Sequence, residues 1–167
     1  MKIHTIMFAL LAGTSIANAD STLSVTDAQV VAHLHAVDVT EIAAGKMAQT
    51  NGAAGGKAYG AKLVKDHTAF DAKLTAFAKK HGLDTIPDDT TQTAAEKKDM
   101  DDEMTKLMGL KGADFDKEIG TAMAAGHDKE IAKADPTAIS DKDLAAMVKA
   151  LKPTLQAHAD AARKLAK

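Results

Sequence analysis

The chain has 167 residues, with 21 basic against 23 acidic side chains, no Cys, no Trp, one Tyr and four Phe. That length suffices for one domain with a real core, while near-balanced charge and the lack of any basic run interleaved with aromatics set nucleic-acid binding aside. Without cysteine there is no disulfide, thiolate nucleophile, Cys-type zinc site or acylated lipoprotein anchor, and the shortage of aromatics argues against a sandwich or barrel.

Residues 1–19 read as an export signal. Met1-Lys2-Ile3-His4 is a short basic start, Ile6 to Ala12 an apolar run, and Ala17-Asn18-Ala19 the small-x-small pattern of a cleavage site after Ala19. The apolar run falls short of the ~20 residues that span a bilayer, and no later stretch reaches that length. The expectation is a single helical-bundle domain over residues 20–167, periplasmic or secreted, with no transmembrane segment. Without Lys2 its formal charge is 20 − 23 = −3. Export without disulfides points to a bacterial periplasm more than to a eukaryotic exterior. A homo-oligomer stays open.

Beyond residue 19 the chain is rich in Ala, and its apolar positions recur at three- and four-residue steps, which predicts helix throughout. The first helix opens at Thr26, spaced with Gln29 as a capping box, and runs to about Thr50 with Val30, Leu34, Val37, Ala44 and Ala48 on its stripe. Asn51 to Gly56 is a tight connection. The second helix, about Lys57 to His81, carries Gly60, Leu63, Phe70, Leu74 and Phe77, and Gly82 stops it as a left-handed cap. After a loop with Pro87, Thr93 and Glu96 start a shorter helix to about Met108. A third long helix runs from Ala113 to about Ala134 and ends at Asp135-Pro136. Ser140 and Asp143 open the last, with Leu144, Met147, Leu151, Thr154 and Leu165 on one face. The predicted fold is all-α: a four-helix bundle with an additional short crossover helix.

Four residues break these stripes. Glu41 interrupts the first, His67 the second and His158 the fourth, and His127 shares a face with Ile119, Met123 and Ile131 on the third. A lone core histidine is more often a hydrogen-bonded structural group, and a lone Glu a stripe-edge residue with its carboxylate in water. One ligand-capable side chain per helix, all inward, is how bundles build metal sites. Glu41 and His67 each lie about 15 Å from the first connection. His127 lies about 12 Å and His158 about 27 Å from the last, a mismatch that uneven helix ends or a kink at Pro153 would reduce. If it holds, one of the two drops out and leaves two imidazoles and a carboxylate with open positions, suited to Fe(II), Mn or Zn. A carboxylate-bridged di-iron centre is weakly supported, because neither Asp66-His67 nor His127-x-x-Glu130 is a Glu-x-x-His pair.

Other features favour plain readings. Met100, Met104 and Met108 could hold Cu(I), but core packing of a short helix explains them better. His33 and His35 face nearly opposite sides of their helix, a poor chelate. His81 sits in a last turn, where an imidazolium complements the helix dipole. The acidic run Asp99 to Glu103 reads as a solvated face.

Glu41-Ile42-Ala43-Ala44-Gly45-Lys46-Met47-Ala48, Leu63-Val64-Lys65-Asp66-His67-Thr68, Leu110 to Asp116, the step from Met123 to His127, and Leu151-Lys152-Pro153-Thr154-Leu155-Gln156-Ala157-His158 together resemble a bacterial domain-of-unknown-function family, number 4142. The resemblance implies an exported, ferritin-like helical bundle, labelled an outer-membrane protein, with no established activity. Ile119 stands where the family commonly has an aromatic, and Lys152 separates Leu151 from Pro153. Nothing in the chain alternates like a barrel strand. Three functions follow. The first is a periplasmic metal-binding bundle for buffering, storage or delivery of a divalent ion (Zn, Cu or Fe), with Glu41, His67, His127 and His158 as candidate ligands. The second is a ferritin-like redox enzyme acting on peroxide or O₂. The third is a metal-free structural or stress-response bundle. No residue stands out as catalytic, and a non-enzymatic role is favoured.

Overall fold

The computed structural model describes residues 22–167, so the expected export signal and its cleavage site lie outside the described residues. Among the described residues every regular element is helical: α1 (Val25–Asn51), α2 (Ala54–Lys80), α3 (Ala94–Met108), α4 (Gly112–Lys133), a 3₁₀ turn (Pro136–Ala138) and α5 (Lys142–Leu165).

The helix ends show which local signals operate. The cap of α1 is Ser24, whose hydroxyl accepts from Asp27 N, and not Thr26, so the helix begins ahead of the expected Thr26–Gln29 box. Thr93 and Glu96 form the expected reciprocal box at α3. At α5 the cap is Asp141, accepting from Asp143 N and Leu144 N, in place of Ser140. Gly82, at φ +79°, ends α2 as expected, with Gly82 N–H donating to Lys79 O and Leu83 N–H to Ala78 O. The start of α2 reaches into the glycine-rich stretch for a non-local reason. Asp116, on α4, accepts from Ala53 N at 3.0 Å and Gly56 N at 2.8 Å and supplies the cap that Ala53 cannot.

Two antiparallel hairpins, α1 with α2 and α4 with α5, form the principal packing units. Small residues let the first close: a Cβ on Gly60 would lie 2.4 Å from Gly45 O. Gly120 plays the same part against the Ala162 carbonyl. The hairpins join at both ends, through Asp116 at the α1–α2 turn and through Asp27, which accepts from Ser140 N at 3.1 Å and Asp141 N at 2.9 Å. Helix α3 is the crossover and runs antiparallel to α4, with Glu96 paired to Lys129 at one end and Lys106 to Glu118 at the other.

These joints remove the expected height mismatch. Glu130, near the end of α4, meets His33, while α5 begins beside Asp27, six residues and about 9 Å further along α1. The segment 134–141 is therefore a climbing connection, not a tight hairpin, and it takes up about 9 Å of the roughly 15 Å offset. α5 continues through Pro153.

The core is layered. Val31, Leu74, Phe77, Ala78 and Leu144 fill the end nearest Asp27. Ala44, Ala48, Leu107, Phe115 and Ile119 form a second apolar cluster, and Tyr59, Leu63 and Ala162 a third. Met104 packs against the second, whereas Met100 and Met108 are exposed, so core packing accounts for one of the three methionines. Among these apolar layers lies a polar one.

Candidate metal centre

Three histidines from three helices meet in that layer: His67 of α2, His127 of α4 and His158 of α5, which are 3 %, 2 % and 0 % exposed. Their ring centroids are 5.2 Å apart for His67–His158 and His127–His158, and 6.1 Å for His67–His127. One nitrogen from each ring lies within 4.8 Å of the others.

Each ring is oriented by an outer partner. His127 Nδ1 lies 2.7 Å from the Met123 carbonyl, which can only accept, so this nitrogen carries the proton. His158 Nε2 donates to Asp66 at 2.9 Å, and His67 Nδ1 faces Asp38 Oδ1 at 2.7 Å. The remaining nitrogens, Nε2 of His67 and His127 and Nδ1 of His158, are buried without a hydrogen-bond partner. A buried nitrogen with nothing to bond is costly, and three together are unusual. In His127 and His158 an outward N–H on a carbonyl or carboxylate leaves the other nitrogen its lone pair, the arrangement that readies imidazole as a metal ligand, and His67 takes the same form when Asp38 is ionised.

Charge agrees with this. Burial holds His67 and His127 down to about 4 and also lowers His158, so the rings stay neutral and keep their lone pairs. Around Asp66, hydrogen bonds from Lys62 and His158 outweigh burial and keep the carboxylate ionised. Burial, reinforced by the charge of Asp71, pushes Asp38 up to about 8. Glu41 is likewise pushed up to about 8, by burial and then by the charges of Asp38 and Glu130. The triad is thus flanked by two carboxyls that prefer to hold protons.

The residues present fit a divalent ion. Metal–nitrogen bonds of 2.0–2.1 Å place donors about 3.4 Å from one another, so nitrogens within 4.8 Å would have to close by at most about 1.4 Å. The donors are all imidazole, which suits Zn, Cu or Fe.

Of the four residues singled out in the sequence, the three histidines converge and both His127 and His158 take part. Glu41 lies to one side. Its Oε1 is 4.0 Å from His127 Nδ1, the ring's outer nitrogen, and its Oε2 is buried without a hydrogen bond. The structure therefore puts it beside the cluster, not within it, and the arrangement is not the two-imidazole, one-carboxylate set.

Asp38 and Asp66 escaped the sequence reading as orienting groups. Asp38 did carry a signal, since Val31, Asp38 and Gly45 repeat at seven-residue spacing and all three are buried. Asp66 carried none, because a polar residue beside His67 on a helix surface is ordinary. The other histidines are engaged elsewhere: His33 spans Asp89 and Glu130, both at 2.9 Å, His35 meets Asp71 at 2.6 Å, and His81 caps α2 with its ring against Phe77.

No curated protein and no solved structure matches the chain. A family model does, over residues 12–165, and the chain therefore belongs to the family described as Domain of unknown function (DUF4142).

Proposed function

We propose that this protein is a ferritin-like four-helix bundle that binds one divalent metal ion, Zn, Cu or Fe, through His67, His127 and His158, and serves metal buffering, storage or delivery in the bacterial periplasm. The observations that carry this reading are that one nitrogen of each ring lies within 4.8 Å of the others, and that each ring has one buried nitrogen with no partner while its other nitrogen is held by Asp38, Met123 O or Asp66. A metal-free network would be expected to satisfy its own buried donors and acceptors. Asp38 and Asp66 would serve the bound ion by fixing ring orientation and raising imidazole basicity.

Metal analysis of protein expressed without a His tag tests this, together with melting scans. The expected result is about one metal per chain and, with ion in hundredfold excess over Kd, a rise of about 5–10 °C in Tm. His127→Leu should abolish both. No stoichiometric metal and no melting shift with any divalent ion would overturn the reading in favour of a structural bundle.

A second reading rests on the ligand count. Three protein donors leave a coordination position open, as in catalytic metal sites. A redox-active ion there could act on peroxide or O₂. Finding zinc as the only bound metal would count against that use and leave the binding function intact.

A further inference from the structure

A cleft of about 350 Å³ opens between α1, α3 and α4, and its floor includes Glu41. The edge of His127 is 4.0 Å from that carboxylate, so the cleft leads from solvent to the flank of the triad. Its chemistry is one-sided. Five carboxylates face it against two lysines, and those lysines, Lys129 and Lys133, are already paired with Glu96 and Glu130. Glu41, Asp99 and Glu103 are left with no lysine partner in ion-pair geometry among the described residues. Glu41 Oε2 and Glu103 Oε1 are both buried and without a hydrogen bond, one on the α1 wall and one on the α3 wall.

The third wall is kept low. Helix α4 presents Ala122 and Gly126 to the cleft, and a Cβ built on Gly126 meets nothing within 4 Å. Gly126 is thus unlike Gly45, Gly60 and Gly120, where a Cβ would collide with backbone. No packing contact requires glycine at 126, and the residue leaves this side of the cleft without a side chain.

We propose that this acidic cleft is the entry route for the divalent cation, and that Glu41 is the positioning carboxylate that takes the ion from the mouth and passes it to the imidazoles. This rests on the three-histidine reading above. A hydrated dication is drawn to the acidic mouth, displaces the proton that burial keeps on the Glu41 carboxyl and releases it to solvent, sheds water against that oxygen, and exchanges the oxygen for imidazole nitrogen. Glu41 belongs to the path and not to the final ligand set, in keeping with its place beside the cluster.

The test separates route from site. Co²⁺ uptake by the untagged full chain would be followed by stopped-flow absorbance, and its equilibrium affinity by competition with a chelator. Gly126→Leu, which fills the cleft and touches no ligand, and Glu41→Gln should each slow association about tenfold or more, with affinity changed less than about threefold, because a barrier slows entry and exit alike. Glu103→Gln should slow association about two- to fivefold and weaken its dependence on ionic strength. Circular dichroism checks that each variant is folded, and the half-buried, isosteric Glu103→Gln variant keeps the test valid should Gly126→Leu not fold. Wild-type association rates in all folded variants, with Co²⁺ still bound, would overturn the route and leave the triad standing. Loss of affinity in Glu41→Gln through faster dissociation would make Glu41 a ligand and overturn its role as a relay. A wild-type chain that takes up no Co²⁺ would overturn route and site together.

Discussion

The two ends of the bundle and its middle treat buried carboxylates in opposite ways. At one end Asp27 accepts two backbone N–H groups from residues 140 and 141, and at the other Asp116 accepts two from the start of α2. Both carboxylates link one hairpin to the other, and both have their oxygens bonded. In the middle, Asp38 and Glu41 each keep an oxygen with no partner, and the three imidazoles beside them each keep a nitrogen in the same state. Saturated carboxylates hold the architecture, whereas a cluster of unsatisfied groups fits a layer whose partner arrives from outside. The comparison implies that substitutions at the ends should cost stability and leave metal binding unchanged, and that substitutions in the middle should do the reverse.

The largest effect is expected at Asp116. Asp116→Ala removes two charge-assisted hydrogen bonds and, among the described residues, the only side-chain acceptor found at the start of α2, and it leaves the buried Gly56 N–H and the partly buried Ala53 N–H without it, so a loss of about 3–5 kcal/mol is expected. Urea unfolding measures it. Folded Asp116→Ala should still bind metal with wild-type stoichiometry. A loss below about 1 kcal/mol would show that water replaces the carboxylate and that this joint is not structural.

The next effect is a dependence on pH that changes with metal. Asp38 and Glu41 have folded values of about 8, above their unfolded values, so the folded chain holds protons that the unfolded chain lacks. Their contribution to stability is complete at low pH and is lost as pH rises toward 8. His67 and His127, held down to about 4, contribute above the unfolded value of 6.5 and lose that contribution as pH falls toward 4. Between the carboxylate and imidazole unfolded values the two trends oppose each other. Above 6.5 only the carboxyls titrate, so the metal-free protein should lose about 2 kcal/mol per carboxyl by pH 8. A dication on the triad favours the ionised carboxylates and should remove this loss. Urea midpoints at both pH values, with chelator and with Zn²⁺, decide it. Metal-free stability that rises over this range would contradict the protonated state of the two carboxyls.

A smaller effect, of opposite sign to that at Asp116, is expected at His127. The Met123 carbonyl it bonds lies one helical turn earlier, within the regular ladder of α4, so losing the imidazole strands no other side chain. His127→Leu keeps similar volume and removes a buried, unpartnered nitrogen. In the absence of metal it should be neutral or stabilising by up to about 1 kcal/mol. His67→Leu is the less clean choice, because it deprives Asp38 of its hydrogen bond. A destabilisation above about 2 kcal/mol in metal-free His127→Leu would mark the ring as a structural member of the core.

The contrast between ends and middle also explains what was legible in the sequence. His67, His127 and His158 stood out because each interrupts an apolar stripe, and a plain Ala-, Leu- and Val-rich background makes such interruptions visible. Thr93 and Glu96 were legible because a capping box is local. Asp27 and Asp116 were not, since Asp27 bonds residues more than a hundred positions away in the chain and Asp116 bonds one sixty positions away. The meeting of His127 and His158 was hidden for the same reason. Its register is set where Asp27 holds residues 140–141, a contact that spacing along one helix cannot reveal. Glu41 shares the histidines' break in the stripe but lies to one side of their cluster, because periodicity gives the direction of a side chain but not its distance from a point on another helix.

The smallest expected effect concerns two glycines that look alike in sequence. Gly60 and Gly126 both lie inside helices, where glycine costs about 0.5–1 kcal/mol relative to alanine. At Gly60 a Cβ would lie 2.4 Å from Gly45 O and 2.7 Å from the Ala48 side chain, so Gly60→Ala must push α1 and α2 apart and should destabilise. At Gly126 the space is open, so Gly126→Ala should recover the helical propensity and stabilise by about 0.5–1 kcal/mol. A methyl group is too small to fill a 350 Å³ cleft, and metal uptake should remain at the wild-type rate. If Gly126→Ala proves destabilising, α4 must pack more closely against α1 and α3 than this structure has it, and the cleft beside Gly126 would not be a passage.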